Sequence, residues 1–265
     1  MTATIDCSGQ TVLVTGAATG LGLAIAEAFG QAGATVALND LSQERVDRAT
    51  ASLTAQGIRC LGVAGDVRSP EEVRRLVDRI VAELGVPDVV VANAGIYPNT
   101  PFLDVSEDEL TRVVDTNVKG VFLTCQAVAR AMVAAGRPGQ LVTVSSGAAN
   151  TAIWGWSHYC ASKAAVVMLT RAMALELGPH GIRADAVLPG YVDVPEGGAP
   201  LDAGYRESAR LAAPLGRPGE PADIARAVLL LCSPLADYVT GAALPVDGGT
   251  SAGRAGVRPR TTQPA

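Results

Sequence analysis

Aromatic side chains are scarce, at 4% of the 265 residues, while 48% of the chain is hydrophobic. A core built from this sequence must be filled by Ala, Val, Leu and Gly. Such small residues let helices and strands approach closely, and the apolar content excludes an intrinsically disordered chain. Runs of Lys or Arg are missing, apart from a sparse group at Arg254, Arg258 and Arg260, and the formal net charge is -5. That balance argues against nucleic acid or an anionic membrane as a partner. The five cysteines (Cys7, Cys60, Cys125, Cys160 and Cys232) include no Cys-x-x-Cys pair. The spacing excludes a disulfide framework and a zinc site, so no metal is expected. No apolar stretch reaches the ~18 residues of a membrane span, and the first residues lack a basic segment followed by an apolar one. Together these absences predict a cytoplasmic protein with reduced thiols and no membrane partner.

What is present is an alternation of short apolar runs with stretches of helical period. Runs at Thr11 to Thr15, Thr35 to Leu38, Ile58 to Val63, Val89 to Val91, Leu141 to Val144, Ala184 to Leu188 and Ala242 to Val246 are nearly continuous in hydrophobicity. Strands buried on both faces of a parallel sheet read this way. Ser69, Pro70 and Glu72 read as an N-cap, a first-turn proline and a capping-box glutamate, and Ser106 with Glu109 repeats the box. Gly33, Gly57, Gly85 and Gly178 stand where helices should stop. The expected fold is therefore α/β, a doubly wound Rossmann-type fold with a seven-stranded parallel sheet flanked by helices on both faces. One domain is expected over residues 1–265. Within it, residues 191–217, rich in Gly, Pro and Ala without clear period, read as a substrate lid, and 253–265 as a flexible tail.

The first strand runs into Gly16-Ala17-Ala18-Thr19-Gly20-Leu21-Gly22 and then into a helix. Glycines there permit positive φ and let backbone amides approach an anion, while the helix N-terminus adds free N–H groups and a partial positive charge. The segment is a candidate pyrophosphate seat, although an ordinary Gly-rich βα turn has similar composition. Asp40, at the end of the second strand, is an acidic side chain able to bind the adenosine ribose hydroxyls of a dinucleotide. On its own it could equally be a turn aspartate.

Tyr159 and Lys163 are spaced i, i+4 and share one face of a helix. A lysine ammonium beside a tyrosine favours the phenolate and turns a weak base into a usable one. The pair gains meaning from Ser146, thirteen positions before Tyr159 at the end of the fifth strand. In order along the chain stand Thr15-Gly16-x-x-x-Gly20-x-Gly22, Asp66-Val67, Asn93-Ala94-Gly95, Asn117, Ser146, Tyr159-x-x-x-Lys163 and Pro189-Gly190. As a set, spanning roughly Gln10 to Ser251, they resemble the single-domain form of the short-chain dehydrogenase/reductase family.

The resemblance implies a role for each matching position. Tyr159 would be the acid/base and Ser146 would hold the substrate oxygen. Lys163 would bind the nicotinamide ribose, and Asn117 would hold a water in a proton relay. Gly16, Thr19, Gly20, Leu21 and Gly22 would seat the phosphates, with Asp40 and Leu41 at the adenosine ribose and Asp66 and Val67 at the adenine. Asn93, Ala94 and Gly95 would line the cofactor crevice, and Pro189, Gly190 and Val192 would close it. Trp156, three positions before Tyr159, is a candidate substrate wall, or else a tryptophan packed under the lid. His158 reads as a surface or helix-start residue, and Cys160 as a packed small residue. Two departures stand out. Val194 replaces a Thr common in the family after Pro-Gly, and Asp185 stands where Asn is common in the sixth strand.

The implied activity is NAD-dependent hydride transfer between a secondary alcohol and a ketone. A non-redox lyase or isomerase on the same fold is the alternative, with a dinucleotide-binding regulatory protein behind it. The helices near Thr116 to Ala134 and Tyr159 to Leu177 carry apolar residues on more than one face, and the resemblance implies a homotetramer built on them.

Overall fold

A computed structural model describes residues 5–194 and 203–253. Seven strands form one sheet: β1 (Thr11–Thr15), β2 (Thr35–Asp40), β3 (Cys60–Ala64), β4 (Val89–Ala92), β5 (Gly139–Val144), β6 (Ile182–Pro189) and β7 (Ala243–Val246). Their order is β3-β2-β1-β4-β5-β6-β7, and every pairing is parallel. All seven predicted strands are present, shifted at their ends by a few residues. Chain order reverses between β1 and β4, so a crevice opens beyond their carboxyl ends, where ligands of such sheets bind.

The helices are α1 (Gly20–Gln31), α2 (Gln43–Ala55), α3 (Pro70–Leu84), α4 (Glu107–Val114), α5 (Gly120–Ala134), α6 (Ser157–Leu177), α7 (Ala203–Ala212) and α8 (Pro221–Cys232). Period-2 alternation divides the core. Val12 and Val14 of β1 meet Ile25 and Phe29 of α1 and Ile224 and Val228 of α8. Leu13, between them, faces the opposite layer with Ile80 of α3, Val128 and Met132 of α5 and Val166 of α6. The buried residues on both faces are mostly aliphatic, Phe29 being a rare fully buried aromatic, as an aromatic-poor chain requires. Among the described residues no helix is long and apolar enough to cross a membrane.

Several local expectations are corrected. Ser69 and Ser106 do cap α3 and α4, accepting from the N–H groups of Glu72 and Glu109 at 3.3 and 3.1 Å. The glutamates do not reciprocate: Glu72 accepts from the Asp66 N–H at 2.8 Å, and Glu109 faces His158. A carboxylate that reaches back occurs in α8 instead, where Asp223 accepts from the Glu220 N–H at 2.9 Å. Gly33, Gly57 and Gly85 follow their helices with positive φ, but Gly178 stays helical and Gly181, three residues on, takes the left-handed conformation. The proposed lid contains a helix, α7, that its composition did not announce. Residues 195–202 of that lid and 254–265 of the tail lie outside the described residues.

Candidate active site

A cavity of about 490 Å³ opens at the carboxyl ends of β1, β2, β4, β5 and β6. Gly16, Thr19, Gly20, Leu21 and Gly22 line one part of it. Gly16 has φ +61°, and a Cβ built there would stand 2.9 Å from the Ala94 Cα. A Cβ on Gly22 would stand 2.1 Å from the Gly16 carbonyl oxygen. Only glycine lets these backbones close into a cradle. The Thr15 hydroxyl accepts from the Asn93 and Ala94 N–H groups, and the Asn93 amide donates to the Thr15 and Gly16 carbonyls at 2.9 and 3.1 Å. These bonds knit the ends of β1 and β4 together.

Helix α1 opens onto this cradle without a side-chain cap and without an acidic residue in its first turn. By contrast α2, α3 and α4 are capped by Ser42, Ser69 and Ser106 and carry first-turn carboxylates. The N–H groups of α1 are thus left for a ligand, and the helix dipole selects an anionic one. The cradle and the uncapped helix fit the pyrophosphate of a dinucleotide.

Asp40 also lines the cavity, is 8% exposed, and pairs with Arg45 in the first turn of α2. Leu41 points away, 61% exposed, and is outside the cavity lining. Asp66 and Val67 are likewise outside it. The Asp66 carboxylate is held below the usual range chiefly by its bonds to Arg68, and the Val67 side chain packs on Gly120, where a Cβ would stand 2.8 Å from Val67 Cγ2. Asn93, Ala94, Gly95, Pro189, Gly190 and Val192 all line the crevice.

At the other end Tyr159 and Lys163 lie one turn apart on α6, the Lys163 Nζ 5.7 Å from the Tyr159 ring centroid. Nζ donates to the Val144 carbonyl at 2.9 Å. Burial pushes the lysine pKa down to about 8, because an ammonium loses its hydration there. Only two lysines occur in this arginine-rich chain, and an arginine would not soften its charge in this way. Ser145 donates from its hydroxyl to the Lys163 carbonyl at 2.8 Å, fastening the end of β5 to α6. Ser146, next to it, also lines the cavity, and its Oγ accepts from the Ala148 N–H at 3.1 Å.

Asn117 is fully buried in a π-helical turn, Asp115–Lys119, between α4 and α5. Such turns recur at functional sites. Its side chain accepts from the Ile96 N–H and donates to the Ile96 carbonyl, both at 2.8 Å, and donates to the Ser162 Oγ at 3.0 Å. It therefore holds the segment after Gly95 against α6 and makes no direct bond to Lys163.

Trp156 is buried, 8% exposed, against the segment after β4. It lines the cavity, and its indole N–H donates to the Tyr97 carbonyl at 3.2 Å beneath the surface. The Tyr97 ring meets Tyr159 edge-on, centroids 6.2 Å apart at 67°. Tyr97, Ile96 and Tyr191 line the cavity without having been singled out from the sequence. The available signal for Tyr97 was its place two residues after Asn93-Ala94-Gly95 in a chain with few aromatics. Val194 lines the cavity too, so that departure falls at the site. Asp185 is structural: fully buried, it accepts from Gln140 Nε2 and the Ala242 N–H, each at 2.9 Å. His158 starts α6 as expected but is not on the surface; it is buried with Nε2 3.2 Å from Glu109 Oε1, because α4 packs over that turn. No cluster of metal-ligating side chains occurs among the described residues.

A family model described as Enoyl-(Acyl carrier protein) reductase matches residues 16–251. An L-rhamnose 1-dehydrogenase (NAD(P)(+)) of Sphingomonas sp. (strain SKA58) is 42% identical over 243 residues, 91% of this chain and 96% of that protein. A cis-4-hydroxycyclohexanecarboxylate dehydrogenase of Sinomonas cyclohexanicum is 40% identical over 250 residues, 92% of this chain and 97% of that protein. The crystal structure of a short-chain type dehydrogenase/reductase from Mycobacterium marinum superposes with a TM-score of 0.88 at 42% identity, covering 93% of this chain and 97% of that one. This chain belongs to the short-chain dehydrogenase/reductase family. As such it is an oxidoreductase acting on CH–OH groups that binds a nicotinamide dinucleotide.

Proposed function

We propose that this dehydrogenase uses NAD to interconvert a secondary alcohol and its ketone, with Tyr159 as the acid/base. One cavity carries this reading: Tyr159, Lys163 and Ser146 line one end, and the uncapped start of α1 and Asp40 line the other. The bound dinucleotide supplies the hydride acceptor or donor. In oxidation the Ser146 hydroxyl holds the substrate oxygen, and the Tyr159 phenolate takes its proton as the hydride leaves carbon. The Lys163 ammonium, short of solvation, favours that phenolate and binds the nicotinamide ribose. Asn117 orders the wall through Ile96 and Ser162 and belongs to the proton path. Trp156, with Tyr97, forms the substrate wall.

Asp40 supports NAD over NADP. Its carboxylate accepts bonds from ribose hydroxyls, whereas a 2′-phosphate ~4 Å away at an effective dielectric near 20 is repelled by ~4 kcal/mol. Screening reduces this to ~2 kcal/mol, roughly thirtyfold. The family resemblance supports a place for Leu41, Asp66 and Val67 near the adenosine end, though all three stand outside the lining of this cavity. We also propose a single domain with residues 191–217 as its lid, in a cytoplasmic homotetramer. In support of assembly, α5 and α6 expose Phe122, Val133, Met168 and Leu175 to solvent in one chain.

A panel of secondary alcohols offered with NAD tests the reaction through NADH formation. Net NADH is expected with at least one alcohol, and Tyr159→Phe should lower turnover by roughly 10²–10⁴ while leaving NAD binding intact. Near-normal activity in that variant would remove Tyr159 from the mechanism.

A further inference from the structure

The sequence has three Phe, two Trp and five Tyr, and four of these ten rings line the crevice: Tyr97, Trp156, Tyr159 and Tyr191. The wall beside Tyr159 is held by hydrogen bonds between two loops. The Trp156 indole N–H is spent on the Tyr97 carbonyl at 3.2 Å, and the Thr100 N–H donates to the Gly155 carbonyl at 2.8 Å. They tie the segment after β4 to the one before α6. Trp156 is buried while Tyr97 is 38% exposed, so Tyr97 is the accessible ring of the two. It stands at 67° to Tyr159. The two phenols make a corner in a cavity that Ile96, Val192 and Val194 line as well.

Charge is kept away from this corner. Among the described residues that line the cavity, the charged side chains are Asp40, Arg45 and Lys163. The first two pair with each other at the start of α2, and Lys163 is buried with its Nζ on the Val144 carbonyl. The arginines of α7 and of the turn after it are taken by carboxylates: Arg206 by Asp193 at 3.7 Å, Arg210 by Glu207 at 2.7 Å and Arg217 by Asp223 at 2.6 Å. In sequence, residues 195–202 add Glu196 and Asp202 and no Lys or Arg. An anionic group carried across a ring from the carbinol would lose water at Tyr97 and gain no cation. A neutral ring loses little there. Its C–H face stacks on the phenol, and it has few rotors to freeze.

We propose that the substrate is a neutral six-membered-ring secondary alcohol that lays one ring face on Tyr97, and that this wall turns away alcohols bearing a carboxylate or phosphate across the ring. Alicyclic alcohols and neutral pyranoses share that chemistry. The inference rests on the reading of Tyr159 as the acid/base, and it makes Tyr97 a specificity-determining residue.

Initial rates of NADH formation by the full-length protein test this with matched pairs. 4-Hydroxycyclohexylacetate and its methyl ester differ chiefly in charge, and cyclohexanol and 2-hexanol chiefly in ring closure. The ester should exceed the acid in kcat/KM by roughly tenfold to hundredfold, mostly through KM. Cyclohexanol should exceed 2-hexanol by about fivefold or more. Neutral pyranoses run beside them separate a hydrocarbon ring from a sugar, and turnover of either supports the proposal. Tyr97→Arg supplies a cation and should lower the ester-to-acid ratio by about tenfold or more. Tyr97→Leu keeps the wall uncharged; it should lose the ring preference and keep the charge preference. An acid used as well as its ester, 2-hexanol used better than cyclohexanol, or an unchanged ratio in a folded Tyr97→Arg overturns the proposal. Failure of every ring alcohol overturns it too. NADH from open-chain or charged alcohols would in that case leave the acid/base reading standing, whereas normal rates in Tyr159→Phe would remove that reading.

Discussion

Lys163 offers a stability test that does not depend on knowing the substrate. Its ammonium is buried, and its pKa is pushed down from 10.5 to about 8 by desolvation. At 1.36 kcal/mol per pH unit, a charged Lys163 costs the native state about 3 kcal/mol at neutral pH. A lysine with a depressed native pKa sets the sign. Below pH 8 both states carry the proton and the cost is fully present. Between about 8 and 10.5 the unfolded chain binds more protons, so stability rises with pH until the cost is gone. Lys163→Met keeps the chain length and removes the charge. It also leaves the Val144 carbonyl without its donor, an opposing loss of about 1–3 kcal/mol. The absolute difference at one pH is therefore uninformative, and its change with pH decides. Urea unfolding of both proteins at pH 7 and pH 9.5, at equal concentration and with Tyr159→Phe in each so that the neighbouring phenol does not titrate, isolates this group, because the remaining titrations cancel in the comparison. The protein that keeps Lys163 should gain about 2 kcal/mol relative to Lys163→Met over that interval. A difference that stays constant would show that the ammonium is not desolvated, and the reasoning from burial would fail.

Two further outcomes follow from packing. Gly22→Ala places a methyl 2.1 Å from the Gly16 carbonyl and 2.6 Å from the Asn93 amide; calorimetric titration should find NAD binding at least tenfold weaker, and thermal melting should find a loss of about 1–3 kcal/mol. Light scattering at micromolar concentration should report a tetramer, and Leu175→Glu or Met168→Glu, both on exposed positions of α6, should dissociate it with little change in the secondary structure; a monomeric wild type would refute the assembly.

The sheet was legible in the sequence because a strand buried on both faces writes its burial into four or five adjacent residues, as Thr11 to Thr15 and Val89 to Ala92 do. The glycine cradle and the Tyr159–Lys163 pair were legible for a local reason too. Their geometry is set by spacings within one turn, and the helix or loop that carries them fixes the rest. Ser146 was placed by resemblance, since nothing local separates it from Ser145; only the packed structure gives Ser145 its bond to the Lys163 carbonyl and leaves Ser146 facing the cavity. Burial of His158 against Glu109 joins positions 49 apart, and the anchoring of Asp185 by Gln140 and Ala242 joins three segments. No periodicity records such partners, because they depend on which helix faces lie against each other after the sheet has formed. Arg45 shows the boundary within five residues: the sequence sets it close to Asp40, but a β-to-α turn decides whether the guanidinium swings into solvent or back over the carboxylate. Here the end of β2 and the start of α2 turn it back, and so the charge that a ligand meets at this end of the crevice is a property of the fold.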